Sequence, residues 1–304
     1  MFKLHIFALL LGTILDFIIG PLYTVWNPFD SIGRWIKFLD RALLGDEIIL
    51  LEDSKQKSLG LWMLFLVLLP VVAVVSFFVI LGYEIAPFVG VIIEAITTYF
   101  CLEANRLFYL GREVMNSYYG DGIPAMRHAL ELLTGGDVEE DDEESLTARA
   151  VTYIANEAGD SVVSPLFVMF LFGPVGGFIY RTVDLMDARL GHKNKRYNVF
   201  GFYTAKFNQI IDWLPGRISG VLAVFAARYT FGDFHGKNAR YIHLRDRYKA
   251  ISAFAGAIGI RLKDESIGDA DRVAEPKDIR TATALMRNMF LTCQLILVIL
   301  LLFF

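Results

Sequence analysis

Cysteine is nearly absent from this chain. Cys101 and Cys293 stand far apart in apolar helical contexts, and without paired spacing they exclude zinc-ribbon, dithiol-redox and disulfide-scaffold chemistry. Two small buried hydrophobes are the simplest account of them. Surplus positive charge is missing as well. Against 29 Lys and Arg stand 33 Asp and Glu, for a net charge of −4, the wrong balance for a protein that gains affinity by neutralising nucleic-acid phosphates. His128, His235 and His243 show no metal-ligand spacing. Gly236-Lys237-Asn238 lacks both the upstream glycine and the following hydroxyl of a Walker-type loop, since those positions hold Phe231 and Asn238. Neither a Gly-x-Ser-x-Gly elbow nor a dinucleotide fingerprint occurs, so hydrolase and dehydrogenase readings have no support. Nor is there the internal repeat of a two-half transporter.

What the chain has in abundance is apolar sequence. Hydrophobic residues make up 55% of 304 positions, with 20% charged and a mean hydropathy of +0.47. That balance is too apolar for an ordinary soluble domain and too charged for a chain wholly in lipid. It predicts an integral membrane protein with substantial water-facing parts. Leu4 to Gly20 reads as a retained span, because no small-residue cleavage motif follows it. Trp26, Asn27 and Pro28 mark an interfacial turn, and a charged helix from Ile32 to Leu44 should lie along the surface. Leu59 to Tyr83 is the clearest span; Ile85 to Leu102 is weaker, since it holds Glu94 and several threonines.

From Glu103 to Gly159 the character is soluble, with helical patterns at Ala104 to Tyr118, Ile123 to Leu133 and Leu146 to Glu157 around an acidic run from Asp137 to Glu144. The run reads as a solvated loop. Val162 to Tyr180 and Ile210 to Phe231 are apolar but broken by Pro165, Gly173, Pro174, Gly176, Gly177, Pro215 and Gly216. A polar stretch from His235 to Arg287 leads into the apolar end, with Pro276 placed as the first residue of the last helix. Basic residues crowd Arg34 to Lys57, Arg181 to Lys206 and Arg228 to Arg287, all cytoplasmic by the positive-inside rule. Two full spans at the broken stretches would put the middle cluster on the wrong side, so re-entrant or partly embedded helices are expected there. The fold expected is therefore an all-α integral membrane protein: one membrane domain over 1–304, formed by a transmembrane bundle with re-entrant or partly embedded helices. It carries a helical cytoplasmic insertion over 103–160 and a cytoplasmic segment over 235–287.

The richest chemistry lies between Asp160 and Arg217. Asp184 and Asp187, three apart, share one helical face, with Lys193 and Asn194 a short loop away. Paired carboxylates at a membrane surface can hold Mg²⁺ while a lysine meets phosphate. The competing reading is a solvated helix end offset by Arg181 and Arg189.

The pattern Asp160-x4-Pro165-Leu166-Phe167, Tyr180-Arg181, Met186-Asp187, Gly191-x-Lys193-Asn194, Tyr197-x2-Phe200-Gly201, Ala205-Lys206 and Pro215-x-Arg217 resembles the CobD/CbiB family, the membrane adenosylcobinamide-phosphate synthases of cobalamin biosynthesis. Ile32-Gly33-Arg34, Gly236-Lys237-Asn238, Arg245-Asp246-Arg247 and Pro276-x-Asp278-Ile279 fall in the family's order. The resemblance implies ATP- and Mg²⁺-dependent amide formation between a corrinoid acid and an aminopropanol-type phosphate, with the corrinoid a substrate and not a cofactor. It implies metal ligands at Asp137, Asp184 and Asp187, catalytic roles for Asp160, Asp187 and Lys193, and phosphate or substrate binding by Asn194, Arg217, Lys237, Arg245 and Arg247. Partners expected on the same basis are membrane lipid, a corrinoid or phosphorylated small molecule, and a membrane protein or second copy, in the inner (cytoplasmic) membrane.

The chain also departs from the family's pattern. Asn208-Gln209 replaces an Asp-Asp pair, Gly135-Gly136-Asp137-Val138 lacks an Arg and a hydroxyl, and a Ser-Pro-Asn element near Ala250 is missing. Asp212-Trp213-x-Pro215-x-Arg217 and Asn156-Glu157-Ala158 are similar to the AmpE branch of the superfamily, membrane proteins linked to β-lactamase regulation. Two functional classes follow: a ligase with a rearranged site, or a non-catalytic binding or regulatory protein on the same scaffold.

Overall fold

The computed structural model describes residues 2–20, 26–45, 52–134, 138–191, 196–231, 249–262 and 272–303. Its regular elements, among the described residues, are helices: α1 (Phe2–Ile19), α2 (Pro28–Leu44), α3 (Asp53–Ile85), α4 (Pro87–Cys101), α5 (Ala104–Asp121), α6 (Ile123–Thr134), α7 (Glu143–Glu157), a π-helical turn (Ala158–Val163), α8 (Ser164–Leu190), α9 (Phe202–Ile211), α10 (Pro215–Thr230), α11 (Lys249–Ile258) and α12 (Lys277–Phe303). Five helical stretches are long and apolar enough to cross a membrane, and a sixth arises if α9 and α10 form one broken span. The protein is an all-α integral membrane protein. The most apolar stretch is α3, with a mean hydropathy of 3.1 and only 22% of its window buried, so most of its side chains are left to lipid. Of the two broken apolar stretches, the first stays helical and kinks where Gly173 takes φ +66° ahead of Pro174; the second is interrupted at 212–214, between α9 and α10. Pro276 stands one residue ahead of α12.

The chain forms two compact units, residues 1–102 with 165–213 and 300–304, and residues 103–164 with 214–299. In the first unit, α1 packs on α4. A Cβ at Gly12 would lie 2.7 Å from the Ala95 carbonyl, the close backbone approach that small residues permit in membranes. Two prolines inside membrane helices remove N–H groups, and each freed carbonyl four residues back finds another donor. Pro70 frees Leu66 O, which accepts from Trp35 Nε1 at 3.1 Å. Pro174 frees Phe170 O, paired with His5 Nε2 at 3.2 Å. His5 Nδ1 also contacts Glu94 Oε1, and Tyr83 donates to Glu94 Oε2 at 2.6 Å. The buried Glu94 thereby links α1, α3 and α4. A separate apolar core gathers Ile36, Leu39, Met63, Val67, Val183, Met186, Leu190 and Phe200 from α2, α3, α8 and the loop after α8.

In the second unit α7 starts on a conventional cap. Asp142 Oδ1 accepts from Ser145 N at 2.9 Å, and the Ser145 side chain, followed by this backbone hydrogen bond, holds the Asp142 carboxyl below its ordinary range. Arg149 pairs with Asp141, and Arg127 donates to the carbonyls of Val138 and Asp141 at 3.1 and 2.7 Å. The described part of the acidic run is thus built into the insertion, a placement that charge density alone does not reveal. At the other end of this unit, Asp278 receives the Arg272 guanidinium on both oxygens at 2.9 Å and the Glu275 N–H at 2.9 Å. The Pro276-x-Asp278 element therefore has a structural task, seating the start of α12.

Candidate functional site

The last turns of α8 carry the described candidate residues of the first unit, and α9 supplies a partner for one of them. Asp184 and Asp187 project from one face of α8, as their spacing predicts, but their partners differ. Asp184 Oδ2 accepts from Arg181 Nη1 at 3.0 Å, and the Arg181 guanidinium lies 6.0 Å from the Phe29 ring centre. This is the ion-paired helix end of the simpler reading. Asp187 Oδ2 accepts from Asn208 Nδ2 at 2.9 Å. The second oxygen of Asp187, Oδ1, and the amide oxygen of Asn208, Oδ1, are buried with no hydrogen-bond donor. Buried polar atoms are nearly always paired, so adjacent residues with one idle acceptor each mark a place that wants a donor or a cation. Beside them, a Cβ on Gly191 would collide with Asp187 Oδ1. The glycine that opens Gly191-x-Lys193-Asn194 leaves room for that oxygen beside it, while its N–H donates to Asp187 O at 2.7 Å.

The loop is seated by groups that the sequence alone does not single out. Asp40, buried on α2, accepts from Arg196 Nη2 at 3.2 Å and from the Tyr197 hydroxyl at 3.0 Å, and Arg196 also reaches Gly45 O at 2.8 Å. Burial pushes the Tyr197 hydroxyl above its ordinary value; the Arg196 hydrogen bond opposes this, and Asp40 adds to it. Phe200-Gly201 is wedged between helices: a Cβ on Gly60 would strike Phe200 O, and one on Gly201 would strike Leu190 O. Arg189 donates to Gly33 O at 2.5 Å across the space that a side chain at position 33 would fill. The only sequence signal for Asp40 was a carboxylate on the apolar face of an amphipathic helix. Asn208, read as a lost carboxylate, is the partner of Asp187.

In the second unit, Asp160 sits in the π-helical turn, where Asn156 Nδ2 donates to its Oδ2 at 2.9 Å. Such bulges often mark functional positions. The turn packs on α10, the helix that carries Arg217 near its start. Gly159 makes the approach close, since its Cβ would lie 3.1 Å from Ser219 Oγ. Asp137, Lys193, Asn194, Lys237, Arg245 and Arg247 lie outside the described residues. Among the described residues, no cluster of three or more His, Cys, Asp or Glu side chains could hold a metal ion.

The family profile described as CobD/Cbib protein matches residues 9–288. The chain belongs to the CobD/CbiB family. Among its relatives is a cobalamin biosynthesis protein CobD from Clostridium perfringens, 28% identical over 295 residues, covering 89% of this chain and 90% of that protein. The protein of the same name from Listeria monocytogenes (serotype 4b) is 30% identical over 263 residues, covering 82% and 80%. The one from Brucella melitensis is 27% identical over 289 residues, covering 90% and 86%. No solved structure matches. Three pieces of the CobD/CbiB pattern now have distinct physical tasks. Tyr197-x2-Phe200-Gly201 anchors the loop, Gly191 makes room for the Asp187 carboxylate, and Pro276-x-Asp278 seats the last helix.

Proposed function

We propose that this protein acts in cobalamin biosynthesis at the cytoplasmic membrane, joining the acid side chain of a corrinoid to an aminopropanol-type phosphate through an ATP-dependent amide bond. The observation carrying this reading is the pair of idle, buried oxygens on Asp187 and Asn208, with Lys193 and Asn194 a few positions along the sequence from Asp187. Mg²⁺ favours hard oxygen ligands, and sites that work on phosphates commonly hold it through one or two protein oxygens with the rest from water and phosphate. Asp187 Oδ1 and Asn208 Oδ1 fit that demand. A cation held there would neutralise phosphate charge as the acid is activated. Asn208 keeps Asp187 oriented through the other oxygen, and the missing side chain at Gly191 leaves room beside Oδ1. Lys193 and Asn194 are assigned to phosphate by the family resemblance, as are Arg217, Lys237, Arg245 and Arg247. Asp160, fixed by Asn156, is the second carboxylate to which the family resemblance gives a catalytic role. Asp137 and Asp184 have weaker claims, since Asp184 is neutralised by Arg181.

A second reading, a non-catalytic membrane binding or regulatory protein similar to AmpE, is favoured by one observation: the carboxylate pair expected at 208–209 is a pair of amides, Asn208 and Gln209. One experiment separates the two. Purified protein in detergent, shown to be folded, is given ATP, Mg²⁺, adenosylcobyric acid and aminopropanol phosphate, and ADP release is followed. Release that requires both co-substrates supports the synthase; absence of both turnover and nucleotide binding supports the second reading.

A further inference from the structure

Below the start of α2, against the middle of α3, lies a cavity of about 320 Å³, at the small end of ligand pockets. Its walls are almost wholly apolar, with Ile32, Trp35, Pro70, Val71, Val74 and Phe178 among them. It opens where Pro70 interrupts the hydrogen bonding of α3 and where the Trp35 indole turns in to satisfy Leu66 O. An apolar hole along a lipid-facing helix has little to offer a charged substrate. Its rim is another matter. Ser31 Oγ, on the cavity wall, accepts from Trp26 Nε1 at 2.8 Å and from Arg34 Nη2 at 2.9 Å. The exposed Arg34 guanidinium is thus fixed at the mouth between Trp26 and Trp35, residues of the type that gathers at headgroup level.

The rest of α2 suits this position. Trp35 and Phe38 stack with ring centres 5.4 Å apart and remain exposed. Arg34, Lys37 and Arg41 are exposed on the adjacent stripe, at helical spacing. Ile36, Leu39 and Leu44 face the core. A helix with a buried face, an aromatic stripe and a basic stripe is built to lie in the interface plane of an anionic bilayer. An apolar cavity with a fixed cation at its mouth complements an anionic amphiphile: hydrocarbon inside, phosphate at the rim. We infer that this cavity is a binding site for one acyl chain of an anionic phospholipid, whose phosphate is held by Arg34. The site is separate from the Asp187 cluster and does not depend on the reaction assigned to it.

The test uses the full-length protein in detergent with equimolar palmitoyl-oleoyl phosphatidylglycerol and phosphatidylcholine, counting retained lipids by native mass spectrometry. Wild-type protein should retain one phosphatidylglycerol in preference to phosphatidylcholine. Val74→Phe fills the cavity from an exposed position that tolerates a larger side chain, and it should abolish that retained lipid while thermal unfolding stays unchanged. Arg34→Gln should weaken phosphatidylglycerol retention roughly fivefold, the size of one cation acting on an anionic headgroup, and so erase the preference. Ser31→Ala, which adds no volume, should move retention the same way by releasing Arg34. Equal retention of the two lipids by the wild type overturns the inference, as does unaltered retention in folded Val74→Phe. A dimer that Val74→Phe dissociates, with no lipid retained, overturns it in favour of a second copy of this chain as the occupant.

Discussion

Two polar clusters in the first unit invite comparison. In the membrane helices, Glu94 has a partner on each oxygen, Tyr83 on one and His5 on the other, and His5 also meets the carbonyl that Pro174 leaves free. At the end of α8, Asp187 and Asn208 satisfy each other once, and each keeps an acceptor that nothing touches. The difference follows from surroundings. In the hydrocarbon layer no water can meet an idle group, so a polar cluster persists only if it is closed. Near the charged helix end formed by Arg181, Asp184 and Arg189, a solute or ion can supply what the protein omits. A closed cluster is explained by folding, whereas an open one calls for a ligand.

The sharpest way to break the contrast is at the closed cluster. Glu94→Ala removes the shared partner of His5 and Tyr83 and should cost about 3 kcal/mol, as stripping one member from a buried polar pair does. Glu94→Gln retains an acceptor and should cost clearly less. Unfolding in a denaturing detergent series measures both, and equal midpoints for Glu94→Ala and wild type would show the cluster to be incidental. Next in size is Gly201→Ala, whose new methyl group meets the Leu190 carbonyl. Overpacking against backbone should cost about 2 kcal/mol and unseat residues 196–201 ahead of α9. Any response to Mg²⁺ should then fall together with stability.

The open cluster should behave in the opposite way. Asp187→Ala leaves one Asn208 donor unpaired and should lower stability by only about 1 kcal/mol, yet abolish the rise in melting temperature that Mg²⁺ should give the wild type. Asn208→Asp sets a second carboxylate against Asp187. It should destabilise the metal-free protein through like-charge repulsion, recover with Mg²⁺, and show a larger ion-induced shift than the wild type. A Mg²⁺ response identical in all three proteins would remove the open cluster from the site.

The fold was legible because spans, caps and breaks are local signals. Runs of apolar residues, Asn27-Pro28 at the start of α2 and Gly173-Pro174 in α8 each act within a turn or two of their own position. The site was legible only in part. The three-residue spacing placed Asp184 and Asp187 on one face, but not which would be neutralised by Arg181 and which left open, because that depends on α9 packing alongside α8. Asn208 looked like a loss in sequence, since an amide lacks the charge of the family's Asp; only its contact with Asp187 shows the carbonyl oxygen that it still offers. Asp40 was invisible for the same reason, as its two partners lie more than 150 positions away.

The smallest expected effect concerns that Asp40 clamp, which is partnered like Glu94 but lies nearer water, and it tests whether closure matters equally outside the hydrocarbon layer. Burial and Asp40 raise the Tyr197 hydroxyl above its ordinary value of 10.0. A group that holds its proton more tightly when folded stabilises fully below the unfolded value and less as pH climbs through the folded one. Wild-type stability should therefore fall between about pH 9 and pH 11 by more than that of Tyr197→Phe. The difference should be on the order of 0.5 kcal/mol, because a partly solvated hydrogen bond contributes less than a buried one. Denaturation midpoints taken across that range decide the matter. Parallel curves for the two proteins would mean that the Tyr197 hydroxyl adds nothing, leaving Arg196 as the clamp's working partner, while a larger loss than at Glu94→Ala would reverse the ranking of the two closed clusters.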